Sequence, residues 1–297
     1  MPAPNGSLTI AIGIATAGRA AILCETLATL REQVRPPDRV VVCAPSPADT
    51  VGAAQTAPGV ETLYGVRGSS IQRNVIIDAC RDCEIILFLD DDFIMDPEYI
   101  LKLDALHRLH PDIAMLTGLV LLDGVTTGGV AVEAARAAIR AAAAAPRGGA
   151  IDDIYNGYGC NMSARMDLVH RYNIRFDEML PLYGWLEDVD FSRCLAKYGR
   201  IARATELRGV HLGVKAGRQT GTRLGYSQIA NPIYILRKGN FTLRRALAQI
   251  SRNVSANLLR SLFPEPYVDR RGRVIGNLLG LIDLLRGRLQ PERVIRL

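Results

Sequence analysis

No stretch of the sequence approaches the roughly eighteen consecutive apolar residues of a helical membrane span. This holds although 48% of its 297 residues are hydrophobic. The opening residues lack the basic region, apolar run and cleavage site of a secretory leader, so the expected setting is cytoplasmic, soluble or peripheral at the inner face of the plasma membrane. One C-x-x-C occurs, at Cys80 and Cys83, without the second ligand pair that a structural zinc site needs. The six cysteines (Cys24, Cys43, Cys80, Cys83, Cys160, Cys194) sit in apolar segments and read as reduced core thiols. No G-x-G-x-x-G follows the first strand-like segment, since Gly13 and Gly18 do not supply it, which argues against a dinucleotide-dependent oxidoreductase. Aromatics make up only 6% of the chain. The basic excess lies in apolar helical stretches with no aromatics interleaved, so nucleic acid is not an expected partner. That excess is local: residues 234–297 carry thirteen Arg and Lys against four acids, whereas the overall charge is only +6.

What is present is an alternation of strands and helices. Residues 8–15 lean β-branched and read as a strand, followed by the turn Thr16-Ala17-Gly18-Arg19. A helix over 20–33 carries Leu23, Leu27 and Leu30 at helical spacing, and Pro36-Pro37 ends it before a strand at 40–43. A short strand is expected at 61–64, then a helix from Gly68-Ser69-Ser70 through Cys80 with Arg73 and Asn74 near its start. Further elements are a helix over 97–109, a strand over 116–122 and an alanine-rich helix over 131–145. The order predicts an α/β fold with a mainly parallel central sheet flanked by helices.

Residues 84–97, EIILFLDDDFIMDP, organise the chain. Ile85 to Leu89 read as a buried central strand that ends in Asp90, Asp91 and Asp92. Three adjacent carboxylates repel one another, and a divalent cation, Mn²⁺ or Mg²⁺, is the simplest offset. An acidic turn capping the next helix is the plainer reading. A second acidic site lies in 183–198, YGWLEDVDFSRCLAKY. In a helix there, Asp188 shares a stripe with Phe191, Leu195 and Tyr198, a position acids seldom take without a task; Glu187, Asp188 and Asp190 serving only the helix dipole is the alternative. His211, after a strand around 201–210, is either structural or a metal ligand.

Residues 155–169 are glycine-rich and then apolar-periodic, which suits either close approach to a ligand or a plain strand-turn-helix link. Residues 123–150 read as a surface insertion or flap, and 215–225 as a loop near phosphate or a disordered one. In the basic tail, Leu278, Leu279, Leu281, Ile282, Leu284 and Leu285 beside Arg286 and Arg288 form an amphipathic helix. It either packs on the preceding domain or lies on anionic lipid.

Taken together, these segments resemble a family 2 glycosyltransferase of the GT-A fold over about residues 8–213. T-A-G-R resembles that family's first nucleotide loop, G-S-S-I-Q-R-N its arginine segment, FLDDDFIMDP its DXD element, GCNMSARMDLV its donor and acceptor region, and GWLEDVDFSRCL its acidic helix. The resemblance implies Asp92 as metal ligand with Asp90 and His211 completing the shell. It also implies Asp91 at the nucleotide ribose, and Thr16, Arg19, Arg73, Asp90 and Asn161 around a nucleotide-sugar donor. Asp188 would be the general base, with Glu187 beside it. The second strand ends Val42-Cys43-Ala44-Pro45 where the family commonly has an acid that reads the base, so UDP is favoured by resemblance alone. The Q-x-x-R-W signature of processive members is missing.

The implied activity is inverting, metal-dependent, non-processive transfer of one sugar to a saccharide or lipid-linked acceptor, with 1–227 as catalytic domain and 228–297 as a basic helical extension. That extension more weakly resembles those of bacterial surface-polysaccharide transferases. A sugar-nucleotide pyrophosphorylase, or an inert nucleotide-sugar or membrane-surface binding module, are the competing readings.

Overall fold

The computed structural model describes residues 6–144, 149–215 and 219–297. Ala145 of the expected alanine-rich helix and residues 216–218 of the expected phosphate loop lie outside them. The first half builds β1 (Ile10–Ala15), α1 (Ala20–Leu30), β2 (Arg39–Ala44), α2 (Ala53–Thr56), β3 (Glu61–Tyr64), α3 (Ser69–Ala79), β4 (Ile85–Asp90), β5 (Phe93–Met95) and α4 (Tyr99–Leu109). The second half adds β6 (Ile113–Asp123), α5 (Val132–Ala144), β7 (Ile151–Asp153), β8 (Asn161–Arg165), α6 (Met166–Arg171), α7 (Glu187–Leu195) and β9 (Arg200–His211). Three tail helices close the chain: α8 (Gly221–Arg237), α9 (Leu243–Arg260) and α10 (Arg270–Leu285).

Among the described residues nine strands form one sheet in the order β3-β2-β1-β4-β8-β6-β9-β5, with β7 also on β9. Parallel pairing joins β1 to β4, β1 to β2, β2 to β3 and β6 to β9. The pairings of β8 with β4 and β6, and of β5 and β7 with β9, are antiparallel. The expected parallel sheet is therefore realised in its first half, and the whole is mixed. In the centre of the sheet the reason is β8: GCNMSARMDLV resolves into a central strand, and the polar residues that disguise it are satisfied in place. Ser163 Oγ meets His107 Nε2 at 2.8 Å, and Thr117 Oγ1 donates to Asn161 Oδ1 at 2.5 Å.

Strand alternation divides the core between the sheet's two faces. Ile10, Ile12, Ile14, Leu87 and Leu89 enter one cluster with Leu23 and Leu27 of α1. Ala11, Ile86 and Phe88 enter the other with Ile76 and Ile77 of α3 and Phe191 of α7. A Cβ on Gly13 would lie 2.6 Å from Ile76 Cγ2, so glycine there lets α3 sit close to β1. The segment read as a flap holds α5 against β9, burying Ala135 and Ile139 beside Val210 and Leu212.

A domain division at 227/228 would fall inside α8, which runs through it unbroken from Gly221 to Arg237. The tail is tied to the rest by polar contacts, of which the Asn240–Asp190 bond is buried. Lys238 donates to both Asp190 and Asp177 at 2.6 Å, and Asn240 donates to Asp190 at 2.8 Å. Asp190, given no role by the sequence beyond its helix turn, is fully buried and anchors this junction. Within the tail, α8 and α10 meet through glycine. A Cβ on Gly276 would lie 2.1 Å from the Thr222 carbonyl, and one on Gly225 would lie 2.1 Å from that of Arg273.

Candidate active site

The apolar strand β4 delivers its first polar residues to the carboxyl edge of the sheet, where α/β folds open their ligand crevice. Strand register brings His211 to the same place. At the end of β9 it lies opposite Phe93 of β5 and Asp123 of β6. Its Nε2 faces Asp92 Oδ1 at 3.3 Å and Asp90 Oδ2 at 3.6 Å, while Nδ1 faces Asp123 Oδ1 at 3.2 Å. Burial opposes charge on this imidazole, but the contacts with Asp123 and Asp92 and the charge of Asp90 prevail and raise its pKa to about 10. Asp123 moves the other way, down to about 2, because His211, the Val125 N–H and the Tyr158 hydroxyl outweigh its burial. A proton on Nε2 is thus one way to hold Asp90 and Asp92 together.

A cation is the other. One ligand atom each from Asp90, Asp92 and His211 falls within 4.8 Å of the others. The buried Asp92 Oδ1 has no hydrogen-bond partner. Two carboxylate oxygens and an imidazole nitrogen, its far side oriented by Asp123, are a donor set that fits Mn²⁺ or Mg²⁺.

Asp91 points away from this trio. It is fully buried, accepting from Thr16 Oγ1 at 2.5 Å and ion-paired with Arg19 at 2.7 Å. Burial pushes its pKa up to about 7 against the Arg19 charge. Thr16 and Asn161 are buried as well. These three expected donor contacts lie beneath the floor and brace it, whereas Arg19, Arg73 and Asp90 reach the open cleft.

The opposite wall is the start of α7. The chain enters that helix through Leu182 and Leu186, both at positive φ (61° and 73°), a conformation that costs a bulky residue about 1–2 kcal/mol. External bonds hold it: Ser69 N–H donates to the Leu182 carbonyl at 2.8 Å, and Asn231 Nδ2 donates to that of Trp185 at 2.7 Å. Asp188 then lines the cleft, its oxygens accepting from the N–H groups of Gly159 at 3.2 Å and Val189 at 2.8 Å. Burial raises its pKa, and those two bonds restrain the rise. Glu187 turns inward to Arg73 at 2.5 Å, and the same guanidinium reaches Asp90 and the Gly159 carbonyl, each at 3.1 Å. Arg73 therefore joins the Asp90 side of the cleft to the Asp188 side.

The cleft encloses about 710 Å³. Several of its walls were not legible in the sequence. Asp123 ends the apolar run of β6 as Asp90 ends that of β4, and this was the one available signal. Tyr155, Tyr158 and Trp185 supply aromatic faces, and the tail contributes Phe241, Arg245, Gln249 and Arg252. Arg245 stacks over the Tyr155 ring at 3.8 Å. Gln249 and Arg252 share the cleft side of α9 with it because residues four and seven apart recur on one helix face.

No protein-family model matches the chain, and no curated sequence matches it. Solved structures do. The chain aligns with S. aureus TarS 1-349 in complex with UDP-GlcNAc at 17% identity and TM-score 0.55, covering 97% of this chain and 83% of that one. It aligns with the mannosyltransferase PcManGT from Pyrobaculum calidifontis in complex with GDP-Man and Mn²⁺ at 14% identity and TM-score 0.55, covering 99% and 87%. GalNAc-T7 with UDP, GalNAc and Mn²⁺ aligns at 12% identity and TM-score 0.55, covering 99% and 57%. The chain spans 40% of a longer S. aureus TarS chain. At these identities the likeness is one of fold, and the fold is the GT-A glycosyltransferase fold.

Proposed function

We propose that this chain is an inverting, metal-dependent, non-processive glycosyltransferase. It moves one sugar from a nucleotide-diphosphate donor, UDP-sugar favoured, to a hydroxyl of a saccharide or lipid-linked acceptor in bacterial surface-polysaccharide or glycoconjugate synthesis. The observation that carries the reading is one cleft lined by Asp90 and His211 on one side, with Asp92 buried behind them in the same trio, and by Asp188 on the other. Those three residues would hold Mn²⁺ or Mg²⁺, which when bound neutralises charge on the departing diphosphate. Asp188 takes the proton of the acceptor hydroxyl: its carboxylate is oriented by two backbone N–H groups, and burial raises its basicity. Glu187, occupied by Arg73, positions this wall rather than competing for the proton. Tyr158, Trp185 and the α9 side chains Gln249 and Arg252 offer the aromatic faces and donors that receive a saccharide. The fold neighbours hold UDP-GlcNAc in one case and GDP-Man in another, so the nucleotide is the first thing to measure.

Thermal shift of the purified chain with UDP, GDP, dTDP and CMP, each with and without Mn²⁺, should show one metal-dependent stabilisation. Turnover of the matching donor in Asp188→Asn should then fall at least about a hundredfold with donor affinity retained. Near-normal turnover in that variant would remove Asp188 from the base role, and no shift with any nucleotide would favour an inert module.

A further inference from the structure

The helix α10 is inside out. Its buried positions are Arg270, Gly272, Gly276, Asn277, Gly280 and Asp283, which are small or polar. Its side away from the body carries Ile275, Leu278, Ile282 and Leu285, exposed by 53, 54, 41 and 88%. The spacing of three, four and three residues places these four on one stripe about 15 Å long. The inversion has a local cause. Close approach of α8 and α10 requires glycine at 225, 276 and 280, where a Cβ would fall 2.1–2.8 Å from atoms of the facing helix. Asn277 donates to the Gly225 carbonyl, and Tyr226 donates to Asp283, so the polar groups of α10 are spent inward. Leu279, Leu281 and Leu284 pack partly at the flanks. The four side chains of the stripe keep 41–88% of their surface open to water side by side, which a soluble surface does not select.

Charge decides the occupant. Arg271, Arg286 and Arg288 are exposed at the two ends of the stripe. Within residues 270–290 the one acid is Asp283, buried and bonded to Tyr226 and Arg293. A second copy docked on this stripe would bring the same arginines together with no acid of this helix to meet them. A surface with apolar depth and negative headgroups satisfies both features. Among the described residues no helix is long and apolar enough to cross a membrane, so the contact is interfacial.

We infer that α10 docks the protein on an anionic bilayer surface, with Ile275, Leu278, Ile282 and Leu285 in the acyl boundary and Arg271, Arg286 and Arg288 at the headgroups. This rests on α10 alone and not on the transferase reading. The test is co-sedimentation of the full chain with vesicles of phosphatidylcholine alone or enriched in phosphatidylglycerol, at low and high salt. The expected result is binding to the phosphatidylglycerol vesicles that weakens with salt. Leu278→Glu/Leu285→Glu should lower it at least about tenfold, and Arg286→Glu/Arg288→Glu should abolish the preference for phosphatidylglycerol. Both variants should melt as the wild type does, since the substituted positions are exposed. No association with phosphatidylglycerol vesicles at low salt, or binding unchanged in Leu278→Glu/Leu285→Glu, would overturn the inference. So would a wild-type dimer in light scattering that this same variant dissociates, because the occupant would then be a second copy.

Discussion

Replacing Arg73 by methionine keeps its length and removes the charge that joins the two sides of the cleft. Three acceptors lose their donor: the Glu187 carboxylate at 2.5 Å, Asp90 at 3.1 Å and the Gly159 carbonyl at 3.1 Å. Asp90 is about a third exposed and rehydrates, so its share is small. Glu187 is 8% exposed and rehydrates far less. Breaking a buried pair from one side costs about 3–5 kcal/mol, and that figure dominates here. For a chain of this size it corresponds to a melting point lower by about 5–10 °C.

The pH dependence is specific. Burial already pushes the Glu187 pKa above its ordinary 4.5, and the loss of Arg73 removes the charge that holds it down. In the variant the folded state keeps a proton that the unfolded chain releases above about pH 4.5. The wild type keeps the same proton up to about pH 8, so the deficit relative to it grows only as pH rises past that value, by up to about 1.4 kcal/mol per unit, and is constant in acid. Urea denaturation between pH 7 and 10 measures this directly. Arg73→Met/Glu187→Gln should recover about 2 kcal/mol or more of the single-variant loss. A single variant costing under about 1 kcal/mol, or a double variant no more stable than the single, would refute the account of Arg73 as the partner of a desolvated acid.

Gly276→Ala gains about 1 kcal/mol of helix propensity but forces α8 and α10 apart, since the new Cβ meets the Thr222 carbonyl at 2.1 Å. A net loss of about 2 kcal/mol in urea is expected, and a stabilised variant would contradict the close helix approach. His107 is buried, and burial together with the Arg165 charge lowers its pKa from 6.5 to about 3. The unfolded chain protonates first, so stability should fall as pH drops from about 6.5 towards 3, and His107→Gln should flatten that slope, as followed by thermal melts. Asp123→Asn removes the charged partner of His211 and should weaken Mn²⁺ binding about 10–100-fold by calorimetry in the presence of nucleotide; equal affinity would exclude Asp123 from orienting the ligand.

The parts of the site that the sequence made readable are those where a strand's apolar run stops at an acid. Asp90 to Asp92 stand out because five apolar residues precede them, and Asp188 because it interrupts an apolar helical stripe. His211 carries no such contrast: the residues left it either structural or a metal ligand, and the resemblance alone drew it to this site. Thr16, Asp91 and Asn161 lie at or beside strand ends, yet whether a side chain there points into the cleft or under it depends on the turn that follows. No periodicity reports that orientation. The central strand β8 was obscured because its Asn and Ser find partners on β6 and α4, a satisfaction visible only across the sheet. The tail misleads for the opposite reason. Its leucines mark a helix correctly, but the buried side is chosen by glycines, which contribute nothing to hydrophobic periodicity.

Those glycines also bear on when the tail takes shape. Each glycine inside a helix costs about 0.5–1 kcal/mol relative to alanine, and α10 carries three, Gly272, Gly276 and Gly280, while α8 carries Gly225 in its interior. Neither helix is persistent alone, and most of their stability comes from each other. As the chain is synthesised, α8 emerges without a mate, and the Ile275 to Leu285 stripe exists as a continuous surface only after α10 has folded back onto α8. By then the sheet, the Asp90, Asp92 and His211 trio and the Asp188 wall have been available to fold, so the face suited to lipid is displayed only after the cleft behind it.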